Sequence, residues 1–159
     1  MANLDWRKLL KECLDSANIG SLATLDSDGV WACSLFFVYD NDFNLYFMSE
    51  NGTRHMANLR ENPRVAVSIY DPKKVMVNVQ VGIEIIGVAS EVPEEMFDEL
   101  YRERQKRYGG SQVVGGGKTA AEFLKEHNAT FVMVKPVDMW YTNTELFDGK
   151  NVKVPIVNP

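Results

Sequence analysis

The residues best suited to chemistry lie in one stretch, LYFMSENGTRHMANLRENPRVAVSIY, between Leu45 and Tyr70. The pattern there predicts a strand, a glycine turn, a short helix beginning at Thr53 and a further strand. The start of a helix presents unbonded N–H groups and the positive end of the helix dipole, which attract anions. Thr53 adds a hydroxyl group and Arg54 a forked cation, a combination that suits a phosphate monoester. The alternative is that Thr53 only caps the helix and Arg54 is an ordinary surface residue.

Histidine and cysteine occur in less informative patterns. His55 could contact a phosphate, ligate a haem iron or lie exposed in the first helical turn, and exposure is the default for a single histidine. His127, near the end of the last predicted helix, is interpreted as a partner of the helix dipole. Cys13 and Cys33 lack a CxxC spacing, so we interpret them as buried, reduced thiols, with a catalytic cysteine as the alternative. These scattered residues predict no metal site.

The segment GGGKT, residues 115–119, places lysine and threonine after glycines, as phosphate-binding loops do. The spacing does not fit, because the first glycine of that pattern would have to be residue 112, which is Gln112. The preceding segment also has the pattern of a charged helix rather than a strand. We therefore interpret residues 109–117 as a mobile glycine-rich surface loop that could act as a lid over a ligand.

Short helices and strands must hold the predicted anion site in place. Apolar residues at helical spacing follow Asp5, a competent N-cap, and predict an opening helix that ends before Gly20. The helix from Thr53 must end at or before Asn62, because Pro63 follows. Strands are expected at residues 19–25, 30–39, 45–48 and 64–70, separated by turns rich in Asp, Asn and Gly.

The second half of the chain contains the clearest alternation, with apolar residues at every second position from Val75 to Ile85. It predicts one long strand bent at Gly82 or Gly87, and such a bend helps a sheet to curl into a barrel. The remaining predicted elements are a charged helix from Pro93 to Tyr108, a helix begun by a Thr119–Glu122 capping box, and closing strands at 131–134 and 140–142.

These elements predict a mainly β fold with added helices. The 159 residues contain no internal repeat and no linker, so one domain is expected over residues 1–159. About six strands follow one another, broken by short helices rather than by a regular strand–helix alternation. This order favours a six-stranded antiparallel barrel flanked by short helices.

Composition excludes several classes of partner. The net charge of −5 argues against binding to nucleic acid or to an anionic membrane, because both require a basic surface. No window holds the roughly 18 consecutive apolar residues of a membrane span. The first residues interleave charged and apolar types, unlike a signal peptide, so a cytoplasmic protein is expected.

The stretch around Thr53 resembles the pyridoxamine 5′-phosphate oxidase-like family of FMN-binding split barrels. The resemblance extends from about Asn18 to Val134, with the same order of elements. The most specific matching pieces are Phe47–Ser49, Thr53–His55, Asn58, Asn62–Val65, Gln80 and Gly87. The resemblance implies a Greek-key split barrel that binds FMN at the interface of a homodimer. A predicted aromatic strand at Leu45–Met48, left exposed in a monomer, also favours a dimer.

The resemblance also assigns roles to individual residues. Thr53 and Arg54 would hold the flavin phosphate, with His55 beside them. Met48 and Ser49 would face the isoalloxazine ring or the ribityl chain. The remaining contacts implied are Ser34 and Phe36 on the neighbouring strand and Gln80 at the polar edge of the ring.

Two departures from the family separate this chain from the vitamin oxidase itself. His55 stands where lysine is usual, and the second strand is apolar at Ala32 and Leu35–Phe37, where the oxidase carries basic residues. The final residues, DGKNVKVPIVNP, also lack the Arg and His pair that the oxidase uses on its substrate. Oxidation of pyridoxamine phosphate is therefore not predicted.

The expected function is an FMN-dependent oxidoreductase that acts on an unidentified small molecule, with NADH or NADPH as the electron donor. No catalytic side chain is assigned, because the redox chemistry belongs to the flavin. The main alternative is a non-catalytic module that binds flavin or haem for sensing, storage or delivery. A deazaflavin cofactor, or loss of the cofactor in an interaction domain, is a third possibility.

Overall fold

The computed structural model describes residues 4–75, 78–109 and 119–155. The opening helix predicted from the sequence is confirmed as α1, Trp6–Ser16. Its N-cap is Asp5, whose carboxylate accepts a hydrogen bond from the Lys8 backbone N–H at 3.0 Å. The buried side of α1 carries Leu10, Cys13 and Leu14, which pack into the core.

One antiparallel sheet of eight strands makes up most of the structure, in the order β2–β1–β5–β6–β7–β4–β3, with β8 beside β7. The mainly β antiparallel split-barrel prediction is thus confirmed, with two short strands more than the expected six. The strands are β1 (Ile19–Asp26), β2 (Gly29–Phe36), β3 (Val38–Tyr39), β4 (Leu45–Glu50), β5 (Arg64–Tyr70), β6 (Val81–Glu91), β7 (Ala129–Asn143) and β8 (Asn151–Lys153).

Five further helices connect these strands. The Thr119–Glu122 capping box is confirmed, with both of its hydrogen bonds present at the start of α5. The helix after Thr53 ends at Glu61, directly before Asn62 and Pro63, as predicted. The helices are α2 (Arg54–Glu61), α3 (Pro72–Val75), α4 (Phe97–Tyr108), α5 (Ala120–Glu126) and α6 (Thr144–Phe147), and a 3-10 turn (Glu94–Met96) precedes α4.

Two apolar clusters fill the space inside the sheet. The larger one joins α1 and α2 to the inner face of the sheet, and the smaller one lies between α4, α5 and strands β4 and β7. Leu45, Tyr46 and Phe47 are buried in these clusters. The prediction of an exposed aromatic strand at Leu45–Met48 is therefore wrong, because one of its faces lies in the larger cluster and the other in the smaller cluster.

The exposed apolar residues lie instead on the outward side of β1, β2, β5 and β6, which we call the outer face. Side chains alternate between the two sides of a strand, so every second residue of these strands points outward. Inward residues such as Leu22, Val67 and Ile85 are buried. The large apolar side chains exposed on the outer face are Ile19, Leu25, Val30, Phe36, Tyr70, Ile86 and Val88.

The long strand predicted from Val75 is wrong in its first part. Residues Pro72–Val75 form helix α3, and Asn78 adopts a left-handed conformation with φ of 59°. The Val79 N–H donates to the Lys74 carbonyl at 3.1 Å and closes the turn, so β6 begins only at Val81. The alternation of apolar residues therefore begins before the strand does. In the turn before β6, a local hydrogen bond takes the place of pairing with a neighbouring strand.

The predicted bend occurs at Gly87 and not at Gly82. The register of β6 against β7 shifts between Ile86 and Gly87. A Cβ atom at Gly87 would lie 2.7 Å from Val134 Cγ1 and 2.8 Å from the Lys135 carbonyl oxygen. Only glycine permits this close approach of the two strands.

Three other boundaries differ from prediction. The expected strand over 30–39 is divided, because β2 ends at Phe36 and a new pairing with β4 begins at Val38. The two closing strands form one, β7, which continues through Pro136. Most of the predicted glycine-rich loop, residues 110–117, lies outside the described residues. None of the helices in the described ranges is long and apolar enough to cross a membrane.

Candidate functional site

Helix α2 is held at one end of the sheet by its buried side. Met56 and Leu59 of this helix lie in the larger core cluster. Asn58 is buried as well, and its Nδ2 atom donates to Thr24 Oγ1 at 3.0 Å. This hydrogen bond ties α2 to β1, so the first turn of the helix is fixed near Asp26, the last residue of that strand.

Two hydroxyl groups and an imidazole meet at the start of α2. His55 Nε2 lies 2.6 Å from Ser49 Oγ and 3.2 Å from Thr53 Oγ1, and the two hydroxyl oxygens are 3.3 Å apart. Ser49 comes from the end of β4, while Thr53 and His55 come from the turn and the first helical residues. The structure therefore brings together three predicted site residues, which we call the Ser49–Thr53–His55 cluster.

The backbone beside this cluster remains able to bind an anion. Thr53 occupies the N-cap position, yet its side chain makes no capping hydrogen bond to the helix. Its hydroxyl donates instead to the Glu50 carbonyl at 3.0 Å. The alternative role of Thr53 as a side-chain cap is thus not realised, and the first N–H groups of α2 keep their donor capacity.

His55 is half-buried beside Phe47, whose ring centre is 6.3 Å from that of the imidazole. Burial lowers the pKa of His55 from its ordinary value of 6.5, because the charged form loses hydration. A neutral imidazole can accept a hydrogen bond from the Ser49 hydroxyl at its Nε2 atom. At neutral pH the cluster is consequently rich in hydrogen-bonding groups but carries no charge of its own.

The charge beside the cluster belongs to Arg54, which Asp26 already holds. The guanidinium binds Asp26 through two hydrogen bonds, Nε to Oδ2 at 2.8 Å and Nη2 to Oδ1 at 3.2 Å. It also lies over the ring of Trp31, 4.8 Å from the ring centre. The hydrogen bonds from Arg54 lower the pKa of Asp26, so the carboxylate stays ionised. An incoming anion would therefore share the guanidinium with Asp26 or displace it.

The other predicted contacts lie apart from the cluster within a single chain. Met48 points to the opposite side of β4 from Ser49 and packs against the smaller core cluster. Ser34 and Phe36 lie on the outer face of β2. Gln80 precedes β6 and donates a hydrogen bond to Tyr70, at the end of β5 farthest from α2.

Sequence reasoning missed part of the polar surroundings of α2. The sequence indicates Asp26 only as part of a turn rich in Asp and Gly, and it does not indicate that Thr24 or Trp31 lies beside α2. A carboxylate on a hairpin turn facing an arginine can be recognised only once the hairpin is placed against the helix. The acidic turn from Asp26 to Gly29 was the one available hint.

The two cysteines have the character expected of structural residues. Burial raises the pKa of Cys13 to about 12 and also raises the pKa of Cys33. Thiols of this kind are weak nucleophiles, because the thiolate is the reactive form. Within the described ranges, no group of three or more His, Cys, Asp or Glu side chains is arranged to hold a metal ion.

Comparisons with known proteins give a consistent family and varied neighbours. A family model described as pyridoxamine 5′-phosphate oxidase matches residues 7–143. No curated protein matches the chain. A solved structure from Listeria innocua, named as a candidate pyridoxamine 5′-phosphate oxidase, is 20% identical with a TM-score of 0.65, covering 86% of this chain and 98% of that one.

Two other solved structures bind different cofactors according to their names. HutZ, a haem storage protein from Vibrio cholerae, is 19% identical with a TM-score of 0.62, covering 80% of this chain and 87% of its own. An F420 reductase is 21% identical with a TM-score of 0.61, and the match covers 81% of this chain and 94% of the reductase chain. At these identities the likeness shows the fold alone. The family match, which spans most of the 159 residues, shows that this chain belongs to the pyridoxamine 5′-phosphate oxidase family.

Proposed function

We propose that this protein binds FMN and acts as an FMN-dependent oxidoreductase on a small molecule. The observation that carries the proposal is the Ser49–Thr53–His55 cluster, together with the uncapped start of α2 beside it. Hydroxyl groups and backbone N–H groups are the donors that bind phosphate oxygens. Family membership supports a flavin as the molecule that carries this phosphate.

Arg54 would supply the positive charge that the cluster lacks. Its side chain is 41% exposed, so a phosphate can approach it without rearrangement of the core. Exchange of the Asp26 carboxylate for a phosphate would replace one charge-assisted pair by another. The phosphate end of the proposed site therefore consists of Ser49, Thr53, Arg54 and His55, all contributed by one chain.

The ring end of the site would include a second copy of the chain. Ser34 and Phe36 lie on the outer face and Gln80 lies near its edge, away from the cluster of the same chain. A homodimer formed through the outer face would let these residues reach a flavin held by the partner. Large exposed apolar patches of this kind mark association surfaces, which supports a homodimer.

The flavin would provide the redox chemistry, and the chain would bind and orient it. NADH or NADPH is proposed as the electron donor and an unidentified small molecule as the acceptor. No acid–base pair in the described part of the chain is needed for hydride transfer to and from a flavin.

Visible spectroscopy of the purified protein tests the proposal. Bound flavin, or binding of added FMN with a preference over riboflavin, is expected because only FMN carries the phosphate. Arg54→Ala should weaken FMN binding by about 1.5–3 kcal/mol and leave riboflavin unaffected. A protein that binds neither compound would refute the proposal. Bleaching of the flavin by NADH or NADPH under anaerobic conditions would establish the reductase.

A non-catalytic haem or flavin module is the second candidate. Similarity to a haem storage protein favours it. His55 Nε2, an atom that could ligate iron, is however engaged by Ser49 at 2.6 Å. Haem titration distinguishes the two: a Soret band that is lost in His55→Ala would favour the module. Persistent yellow colour after addition of NADH and NADPH would favour a flavin module.

A further inference from the structure

A shallow groove of about 510 Å³ crosses the middle of the outer face. Small residues of three strands line part of it, including Ala23, Ala32 and Ala66. A row of paired residues runs across it from Ser21 through Ser68 and Glu84 to Trp140. Glu84 is thus an acid in a groove whose other lining residues are apolar or neutral.

The Glu84 carboxyl is incompletely satisfied within one chain. Hydrogen bonds from Asn151 and Thr142 reach this side chain. Its Oε2 atom, however, is buried without any hydrogen-bond partner among the described residues. Burial raises the pKa of Glu84, and the hydrogen bonds oppose that rise only in part.

The cations on the neighbouring strands pair elsewhere or lie farther along the sheet from Glu84, as does Lys135 of β7, which is opposite Val88. Lys153 of β8 pairs with Asp138 of β7 at 2.6 Å and lies over the Trp140 ring. On β5 the outward ionisable residues are Arg64, which is at the far end of the strand, and Tyr70, whose hydroxyl accepts from Gln80. An ionised Glu84 would therefore lack an opposite charge once water left the groove.

We propose that two copies of the chain associate through the outer face with Glu84 protonated, so that dimer formation takes up one proton per subunit and weakens as the pH rises. This inference rests on the homodimer of the proposed function. A neutral carboxyl can donate a hydrogen bond, and the serine hydroxyls of the partner's outer face are acceptors. An ionised carboxyl would instead be desolvated without compensation.

A second copy fits this face better than any smaller occupant. Outward residues of β1, β2, β5 and β6, with those of β7, number on the order of 20, which matches one side of a stable interface. Most of these side chains are apolar or small and uncharged. A two-fold arrangement would bury the same groove, and the same Glu84, on both subunits.

Sedimentation velocity of the full chain between pH 5 and pH 9 tests the inference. The dimer dissociation constant of the wild type should increase with pH by up to about 100-fold per pH unit, since two protons are released. Glu84→Gln should remove this dependence and hold the dimer at the strength seen in acid. Glu84→Met, which cannot ionise, provides a second variant with the same expectation.

Glu91→Gln is the matched control. Glu91 lies on the same strand but outside the groove, where it pairs with Arg60 at 2.8 Å, so its variant should keep the wild-type pH profile. A dimer with a pH-independent constant, or a Glu84→Gln dimer that still weakens as the pH rises, would overturn this inference alone. A monomer at every pH would overturn the homodimer and this inference together, while FMN binding is measured separately.

Discussion

The most informative single residue is Asp26, because it determines what Arg54 can do. Its carboxylate accepts hydrogen bonds from Nε and Nη2 of the guanidinium, at 2.8 and 3.2 Å. A phosphate must therefore either bind the remaining N–H groups of Arg54 beside this carboxylate or displace it. A stronger Arg54–Asp26 pair makes the free energy of binding an anion at the start of α2 less favourable.

Asp26→Asn should strengthen FMN binding. Loss of the carboxylate frees Arg54 and removes a negative charge near the phosphate, so affinity should rise on the order of tenfold. Fluorescence quenching of FMN measures the effect. Asp28→Asn is the matched control, since it removes the same charge from the same turn but not the pair with Arg54. Equal effects of the two substitutions would show that only net charge matters.

His55 should make the stability of the folded chain depend on pH. Because burial lowers its pKa from 6.5, the unfolded chain binds more protons at this residue than the folded chain does. Its contribution to stability is complete above about pH 7 and is lost as the pH falls through 6.5 and the folded pKa. Urea unfolding of His55→Gln at pH 7.5 and pH 5 should show a smaller loss in acid than the wild type. Identical losses in the wild type and in His55→Gln would contradict this role.

At the scale of elements, the sequence predicted those helix ends that are formed by hydrogen bonds between nearby residues. The Asp5 cap of α1, the Thr119–Glu122 box of α5 and the stop before Pro63 involve residues within four positions of one another. The strand expected from Val75 failed because apolar alternation does not report the turn at Asn78. Whether an alternating segment pairs depends on neighbours that are distant in sequence.

The candidate site also contains contacts between residues close in sequence, which could be predicted, and contacts between distant residues, which could not. Ser49, Thr53, Arg54 and His55 lie within a segment of seven residues, so their meeting at the start of α2 followed from the strand–turn–helix pattern. Asp26 and Trp31 reach Arg54 only because the β1–β2 hairpin packs beside that helix. The buried Asn58–Thr24 hydrogen bond depends on the same packing. No sequence period could have indicated these contacts.

The bend of β6 should be intolerant of any side chain at position 87. Gly87→Ala would place a methyl group 2.7 Å from Val134 Cγ1 and 2.8 Å from the Lys135 carbonyl oxygen. We expect a loss of about 1–3 kcal/mol in the free energy of unfolding, measured with urea. Gly52→Ala is the control, because nothing lies within 4 Å of its added Cβ and little change is expected. Equal stability of both variants would contradict the close approach.

For the whole molecule, the exposed apolar residues are unevenly distributed. Most of the large ones lie on the outer face, whereas the strand suspected from the sequence is buried. Sequence alternation from Val75 to Ile85 indicated that the strand now seen as β6 has two sides. It did not show that helices cover one side only, which is why the association surface had to be read from the structure.

Ile86→Arg should therefore dissociate the proposed dimer and weaken FMN binding together. Ile86 is 48% exposed and lines the groove, and an arginine there would place a long charged side chain in an apolar contact on both subunits. Light scattering reports the mass, and FMN fluorescence reports the affinity. Leu146→Arg is the control, since Leu146 is 49% exposed on α6 and away from the outer face. If the monomer binds FMN as tightly as the wild type, the flavin does not bridge two subunits.

The Arg54–Asp26 pair also affects selectivity among the many anions of a cell. Because the guanidinium is already paired with a carboxylate, the start of α2 attracts sulfate, acidic peptides or nucleic acid less strongly than an unpaired arginine would. A phosphate competes there with a tethered carboxylate of high effective concentration, and additional contacts with hydroxyls and backbone N–H groups favour it over other anions. The internal acid thus acts as a competitive filter, and release of a bound phosphate is assisted by the same group as it returns.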